Sequence, residues 1–222
     1  MALIIDGPRL PPARGGKPDT LVALLHGYGS NGADLISLAP YWAKALPGAA
    51  FVAPNAPEPV PGAPGGYQWF DLAARDPRFV EQGVRRAADG LNRFLDRELE
   101  RHGLGGERLA LVGFSQGTMM ALHVGLRRGV GGIVGFSGAL VSGASIKEEA
   151  KGRPPVLLIH GDRDDRIPLE AMFQAAEALA SADLSAQWHV SYGLGHSIGP
   201  DGLELGGAFL KTMLGKTTLA AA

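Results

Sequence analysis

The feature that most constrains this chain is a series of short apolar runs, most of them stopping at Gly, Asn or Asp. They are LVALLHG (Leu21–Gly27), AAFVAPN (Ala49–Asn55), RLALVGF (Arg108–Phe114), GIVGFSG (Gly132–Gly138), PVLLIHGD (Pro155–Asp162) and SAQWHVSY (Ser185–Tyr192). Four are nearly all apolar, as expected of strands buried on both faces of a parallel sheet. Helical patterns lie between them, at Asp34–Leu46, Asp76–Arg101, Gln116–Arg128, Leu169–Ala180 and Gly202–Leu214. In the longest, Asp76 can cap and Pro77 suits the first turn, while Val80, Val84, Ala87, Leu91, Phe94 and Leu95 share one face. Strand alternating with helix predicts an α/β fold, a mostly parallel, doubly wound sheet flanked by helices. Leu3–Ile5 is expected to add an antiparallel edge strand.

The 222 residues show no repeat and no compositional break, so a single domain over residues 1–222 is expected. The tail Gly215–Ala222 is expected to fray. The Pro/Gly-rich segment Pro54–Gly66 is too long for a tight connection and reads as a loop bordering a site. A net charge of −1 gives no electrostatic footprint for nucleic acid or an anionic membrane. No apolar stretch reaches the roughly 18 residues of a membrane span. The chain has no cysteine, which excludes disulfides, thiolate zinc sites and a Cys nucleophile together. With a start, MALIIDGPRL, that lacks a basic n-region, this fits a cytoplasmic protein without a signal peptide.

Chemistry enters at GFSQG, Gly113–Gly117. In a chain with 33 Gly, chance alone supplies about 0.2 matches to G-x-S-x-G, so the pattern needs context. It has it: an apolar strand precedes Ser115 and a helical stretch follows, the strand–turn–helix setting of a serine nucleophile. The helix N-terminus favours negative charge developing there. The competing reading is a helix N-cap serine. Ser137, in the similar IVGFSGAL, has Ala139 where the second glycine should stand and no helix directly after it. It reads as a strand-end serine bonding the backbone near the site.

A serine nucleophile needs a base, and the base a carboxylate, in the chain order Ser, acid, His on this kind of sheet. His196, in the loop GLGHSIGP before the last helix, is the best-placed base. His102, His123 and His189 read as surface or packing residues, and His160 as support for the turn after its strand. The acid lies in HGDRDDRIP, where spacing does not choose among Asp162, Asp164 and Asp165. An oxyanion would take one N–H from Gln116 and another from the loop in LLHGYGSNGADL, Leu24–Leu35. That loop has neither G-x-G-x-x-G nor a P-loop Gly-Lys-Ser/Thr, which argues against a nucleotide.

LHGYGSNG, WFD (Trp69–Asp71), GFSQG, HGDRDDRIP and YGLGHS together resemble the phospholipase/carboxylesterase family of α/β-hydrolases, which includes acyl-protein thioesterases and small bacterial carboxylesterases. The resemblance spans about Gly7 to Leu214. The family's acid motif, H-G-x-x-D-x-x-V-P, falls on His160–Pro168 and implies Asp164, with Ile167 in the Val position and Asp165 as runner-up. It likewise implies Ser115 as nucleophile, His196 as base, and the Tyr28 and Gln116 amides as the oxyanion hole. Tyr28 departs from the Leu common there. The WFD turn implies Trp69 near the substrate, with Ile167 a second substrate-binding residue; core packing is the competing reading, equal in weight for Phe70 and lesser for Trp69.

The implied activity is serine carboxylic-ester hydrolysis through a covalent acyl-enzyme. The substrate is an acyl ester or thioester, a lysophospholipid and an acylated protein being the larger candidates, and no cofactor or metal is called for. A homodimer is left open. About 16 residues separate Gly138 from Pro155, too few for a cap domain. The site should then be open, bordered by Pro54–Asp71 and Ser142–Lys151, and suited to short-chain or protein-borne acyl groups. The alternatives are a peptidase or lactone hydrolase on the same scaffold, and a non-catalytic binding protein, which usually lacks a triad member.

Overall fold

The computed structural model describes residues 5–72 and 76–219. In chain order the elements are β1 (Arg9–Leu10), β2 (Thr20–Leu25), α1 (Gly32–Ile36), α2 (Ala39–Ala43), β3 (Ala49–Val52), β4 (Glu58–Pro59), β5 (Tyr67–Gln68) and α3 (Pro77–His102). Then come β6 (Leu109–Phe114), α4 (Gln116–Arg128), β7 (Gly132–Phe136), α5 (Ile146–Glu149), β8 (Val156–Gly161), α6 (Glu170–Ser181), β9 (Ala186–Ser191) and α7 (Pro200–Leu219). Among the described residues seven strands form one sheet in the order β1-β3-β2-β6-β7-β8-β9, all parallel except β1.

The apolar runs become strands because both faces of the sheet are covered. Along β2, Leu21, Ala23 and Leu25 enter a core shared with α3, α4, α5 and α6. Their neighbours Val22 and Leu24 enter a second core with α1, α2 and α7. A strand buried on both sides has no use for polar residues, which is why the alternation is absent from its sequence. Helix α3 starts as its sequence predicts: the Asp76 side chain accepts from Arg78 N at 2.9 Å and Pro77 opens the first turn. It ends at Gly103, whose φ of 67° closes a left-handed cap.

Three boundaries differ from expectation. The antiparallel edge strand is Arg9–Leu10, paired with Val52 and Phe51, not Leu3–Ile5. Leu3 lies outside the described residues, and Ile5 is irregular though buried. Pro8, Pro11 and Pro12 limit pairing to two residues, and Arg9 is anchored by both carboxylate oxygens of the buried Glu98, at 2.9 and 2.8 Å. Asp34–Leu46 is two short helices, because Pro40 cannot continue a helix and instead sits in the first turn of α2. The last helix runs to Leu219, past the expected end at Leu214; the final residues 220–222 of the tail expected to fray lie outside the described residues.

The strand order reverses between β2 and β6. From β2 the chain steps outward to β3, and it later returns to β2's other side as β6. Ligands on open α/β sheets bind at such a switch point, beyond the carboxyl ends of the strands. The loops leaving those two strands carry Tyr28 and Ser115.

On α4, His123 is buried, and burial pushes its imidazole down to about 4, with Arg127 and Arg85 adding in the same direction. The folded ring stays neutral where the unfolded one, near 6.5, takes a proton. The stability this contributes is present above about 6.5 and lost as pH falls toward 4. His123→Leu should therefore flatten the decline of urea-unfolding stability over that window; an unchanged slope would contradict the assignment. His26, also lowered by burial, keeps part of the slope in either protein.

Candidate active site

Ser115 follows the last residue of β6 and precedes α4, with φ 55° and ψ −117°. A non-glycine residue in this region costs about 1–3 kcal/mol and persists only where the surroundings hold it. The surroundings are two backbones in near contact. A Cβ on Gly113 would stand 2.3 Å from Gly117 O, and one on Gly117 would stand 1.9 Å from Leu25 O. The glycines are thus required by close approach of α4 to β6 and β2. Ser115 N–H donates to Phe136 O at 2.9 Å, and the side chain makes no capping bond to α4. The N-cap alternative is therefore not what this hydroxyl does.

Ser137 directly follows β7 with a φ of 45°, and its N–H donates to Ile159 O. Its hydroxyl is sealed from solvent and has no hydrogen-bond partner among the described residues, contrary to the expected backbone bond. Ser115, half-buried, lines a cavity instead.

The loop after β8 separates the three aspartates. Asp162 Oδ1 accepts from Gly193 N at 2.6 Å, tying this loop to the one after β9. The Asp164 side chain is wholly buried; its Oδ1 accepts from Arg166 N and Ile167 N, both at 2.9 Å, and its Oδ2 lies 2.8 Å from His196 Nδ1. Asp165 is exposed on the cavity rim and is not the His196 partner. Burial alone would raise the Asp164 carboxyl, but the Ile167 amide, His196 and the Arg166 amide together hold it below its usual range. An ionised Asp164 accepts, so His196 Nδ1 carries the hydrogen and Nε2 keeps its lone pair. The His196 ring also packs on Phe114, centroids 4.9 Å apart. His160 supports the turn from beneath, its Nε2 2.9 Å from Ile167 O and 3.2 Å from Asp164 Oδ2.

Tyr28 lies in the turn after β2, with Gly29 N donating to Tyr67 O and Tyr67 N to Ser30 O. The small β4–β5 ribbon thus grips this turn from behind. Among the described residues, neither the Tyr28 nor the Gln116 N–H donates to a loop, turn or cap partner. At the head of α4, Gln116 N–H has no partner inside the helix either.

The cavity, about 1090 Å³, has Gly27, Tyr28, Ser115 and His196 in its wall. Leu35, Leu38, Phe114 and Ile198 line it from one face of the sheet; Val80 and Met119 line it from the other. Leu72, Asp34, Asp165, Arg166 and Ile167 complete most of the rim. Two expectations need correcting. No residue of Pro54–Asp71 or Ser142–Lys151 lines the cavity; Leu35, Val80 and Met119, on α1, α3 and α4, stand there beside the loops that follow β2, β6, β8 and β9. Trp69 is not in the wall: it is 1 % exposed, its ring 5.6 Å from that of His26. Its indole is turned inward to donate to His26 O at 2.9 Å.

The Gln116 side chain carries a role the sequence did not reveal. Wholly buried, it accepts from Trp69 N at 2.9 Å and donates to Phe70 O at 2.7 Å. Among the described residues no group of His, Asp and Glu is arranged to hold a metal ion, and no helix is long and apolar enough to cross a membrane.

The chain and its fold have known counterparts. The crystal structure of esterase PE8 covers 95 % of this chain and 99 % of its own, with 43 % identity and a TM-score of 0.89. Esterase YpfH of Escherichia coli is 30 % identical over 184 residues, 80 % of this chain and 76 % of its own length. Acyl-protein thioesterase 1 of Gibberella zeae is 28 % identical over 212 residues, 87 % and 90 % of the two chains. The sheet and its flanking helices are those of an α/β-hydrolase. With the phospholipase/carboxylesterase family model matching residues 13–214, the chain belongs to that family and is an esterase-type enzyme.

Proposed function

We propose that the chain hydrolyses carboxylic acyl esters or thioesters, with Ser115 as nucleophile, His196 as general base and acid, and Asp164 orienting His196. The observation that carries this reading is the convergence of three separate loops on one cavity. The buried Asp164 meets His196 Nδ1 at 2.8 Å, and His196 shares the cavity wall with the strained, uncapped Ser115. The esterase and thioesterase names of the relatives point to the same bond type.

The chemistry follows from those positions. His196 Nε2 takes the Ser115 proton as Oγ attacks the acyl carbonyl carbon. The carbonyl oxygen becomes an oxyanion, received by the Tyr28 and Gln116 amides. Asp164 stabilises the imidazolium, which then protonates the departing alcohol or thiol. Water, deprotonated by the same imidazole, attacks the acyl-enzyme and releases the acid. The apolar side chains lining the cavity from both sheet faces give acyl and leaving groups separate surfaces to lie against.

The test is labelling with an alkyl fluorophosphonate followed by peptide mass spectrometry, beside a chain-length series of acyl esters and matched thioesters. Stoichiometric modification at Ser115 together with turnover of the series is expected. Label on another residue, or turnover without label, would remove the proposal. The series also ranks ester against thioester, which the same three residues serve equally.

A further inference from the structure

We infer that Gln116, Trp69 and His26 are positioning residues that hold the Tyr28 and Gln116 amides in one rigid frame, so that neither oxyanion donor can move without the other. This rests on the active-site reading proposed above.

The two amides belong to different elements, the turn after β2 and the head of α4. Sheet pairing between β2 and β6 fixes the strands but ends at Leu25 and Gly113, short of both amides. Beyond that point, beside the main-chain bonds of Tyr67 to Gly29 and Ser30, a chain of side-chain hydrogen bonds links the two elements. Gln116 Oε1 accepts from Trp69 N, and Gln116 Nε2 donates to Phe70 O. A main-chain N–H only donates and a main-chain carbonyl only accepts, so the amide has one orientation. The Trp69 indole N–H then donates to His26 O, which is the peptide directly before Gly27–Tyr28. His26 is itself clamped. Its Nε2 accepts from Ala56 N at 2.9 Å, and its Nδ1, which must then carry the hydrogen, donates to Gly27 O at 2.7 Å.

Every side chain in this chain of bonds is sealed from solvent: His26 and Gln116 are 0 % exposed and Trp69 1 %. Water cannot replace a lost partner there without rearrangement, so each bond is held firmly. The residue that offers the second oxyanion N–H is thus tied by its own side chain to Trp69, whose indole holds the turn offering the first. A core-packing role alone would explain the apolar contacts of Trp69, but not why its one polar atom is spent on the carbonyl next to the oxyanion turn.

The test is steady-state hydrolysis of p-nitrophenyl butyrate by Trp69→Phe, Gln116→Leu and the double variant. Trp69→Phe keeps an aromatic ring and removes the indole N–H. Deleting an oxyanion donor costs about 10²–10³ in kcat, so displacing one should lower kcat by about 10- to 100-fold with KM within about twofold. The rate of fluorophosphonate labelling should fall in step, since the phosphoryl oxygen uses the same two amides. The double variant should be no worse than about threefold below the poorer single variant, because either cut severs the same chain. A folded Trp69→Phe with kcat within about twofold of the parent would overturn the inference, as would an effect confined to KM or fully multiplicative losses. Gln116→Leu carries the test from the other end if Trp69→Phe does not fold. Ser115→Ala separates the two readings: turnover in that variant defeats the active-site assignment, whereas an inert Ser115→Ala beside a normal Trp69→Phe defeats only the coupling.

Discussion

Ser115→Ala is expected to lower kcat for p-nitrophenyl butyrate by about 10⁴- to 10⁶-fold, while Ser137→Ala keeps most of the parental activity. The size follows from losing a hydroxyl that stands in the cavity wall with His196 and makes no capping bond to α4. Alanine keeps the Cβ, so the backbone at φ 55° is no more strained than before and the variant should fold normally. Ser137 shares the flanking letters and the positive φ, yet its hydroxyl is enclosed and lines no part of the cavity. Parallel melting curves keep unfolding from being mistaken for lost chemistry. Appreciable turnover by folded Ser115→Ala, or collapse of Ser137→Ala, would exchange the two assignments.

Asp164→Asn should cost on the order of 10⁴-fold in kcat, and Asp165→Asn no more than about threefold. The large effect comes from hydrogen positions. The amides of Arg166 and Ile167 donate to Oδ1, so an asparagine there must place its oxygen toward them. Its NH₂ then occupies the place of Oδ2 and donates toward His196 Nδ1, 2.8 Å away. The imidazole hydrogen is forced onto Nε2, and the base has no lone pair for Ser115. Asp165 has no such link, and its charge on the open rim is screened by solvent. The reverse ranking of the two variants would show that the acid is Asp165 and that the turn is arranged differently in solution.

How much of this was legible beforehand depended on whether the cause was local. The buried strands announced themselves because a parallel strand covered on both faces excludes polar residues, and α3 because its cap, proline and apolar stripe all lie within the helix. β1 did not, since two residues between prolines carry no period, and the apolar Leu3–Ile5 drew the expectation away. In Asp34–Leu46 the apolar spacing runs unbroken across Pro40, so the pattern reads as one helix where the proline makes two.

At the proposed site, order and motif single out Ser115, His196 and the acid-bearing loop, which the fold brings to one cavity. Spacing alone does not choose among the three aspartates; the family motif points to Asp164, and the physical distinction is which carboxylate the turn buries against His196. The cavity walls were hidden for another reason. Leu35, Val80 and Met119 sit in helical stretches where an apolar residue at the right spacing reads as core. Trp69 and Gln116 were noticed for an aromatic ring and a backbone amide. Their polar side-chain atoms matter through partners some 47 residues apart in sequence, which no local pattern records.

The left-handed turn at Ser115 bears on how this lineage can drift. Glycine is the residue that φ 55° and ψ −117° favour, so the substitution that would best relax the backbone here is also one that deletes the hydroxyl. Selection for heat tolerance without a demand for turnover pulls this position toward glycine, and selection for turnover pulls it back. A population relieved of the second pressure would lose the serine early, while the sheet, the helices and even the His196–Asp164 pair persisted as a well-folded relic.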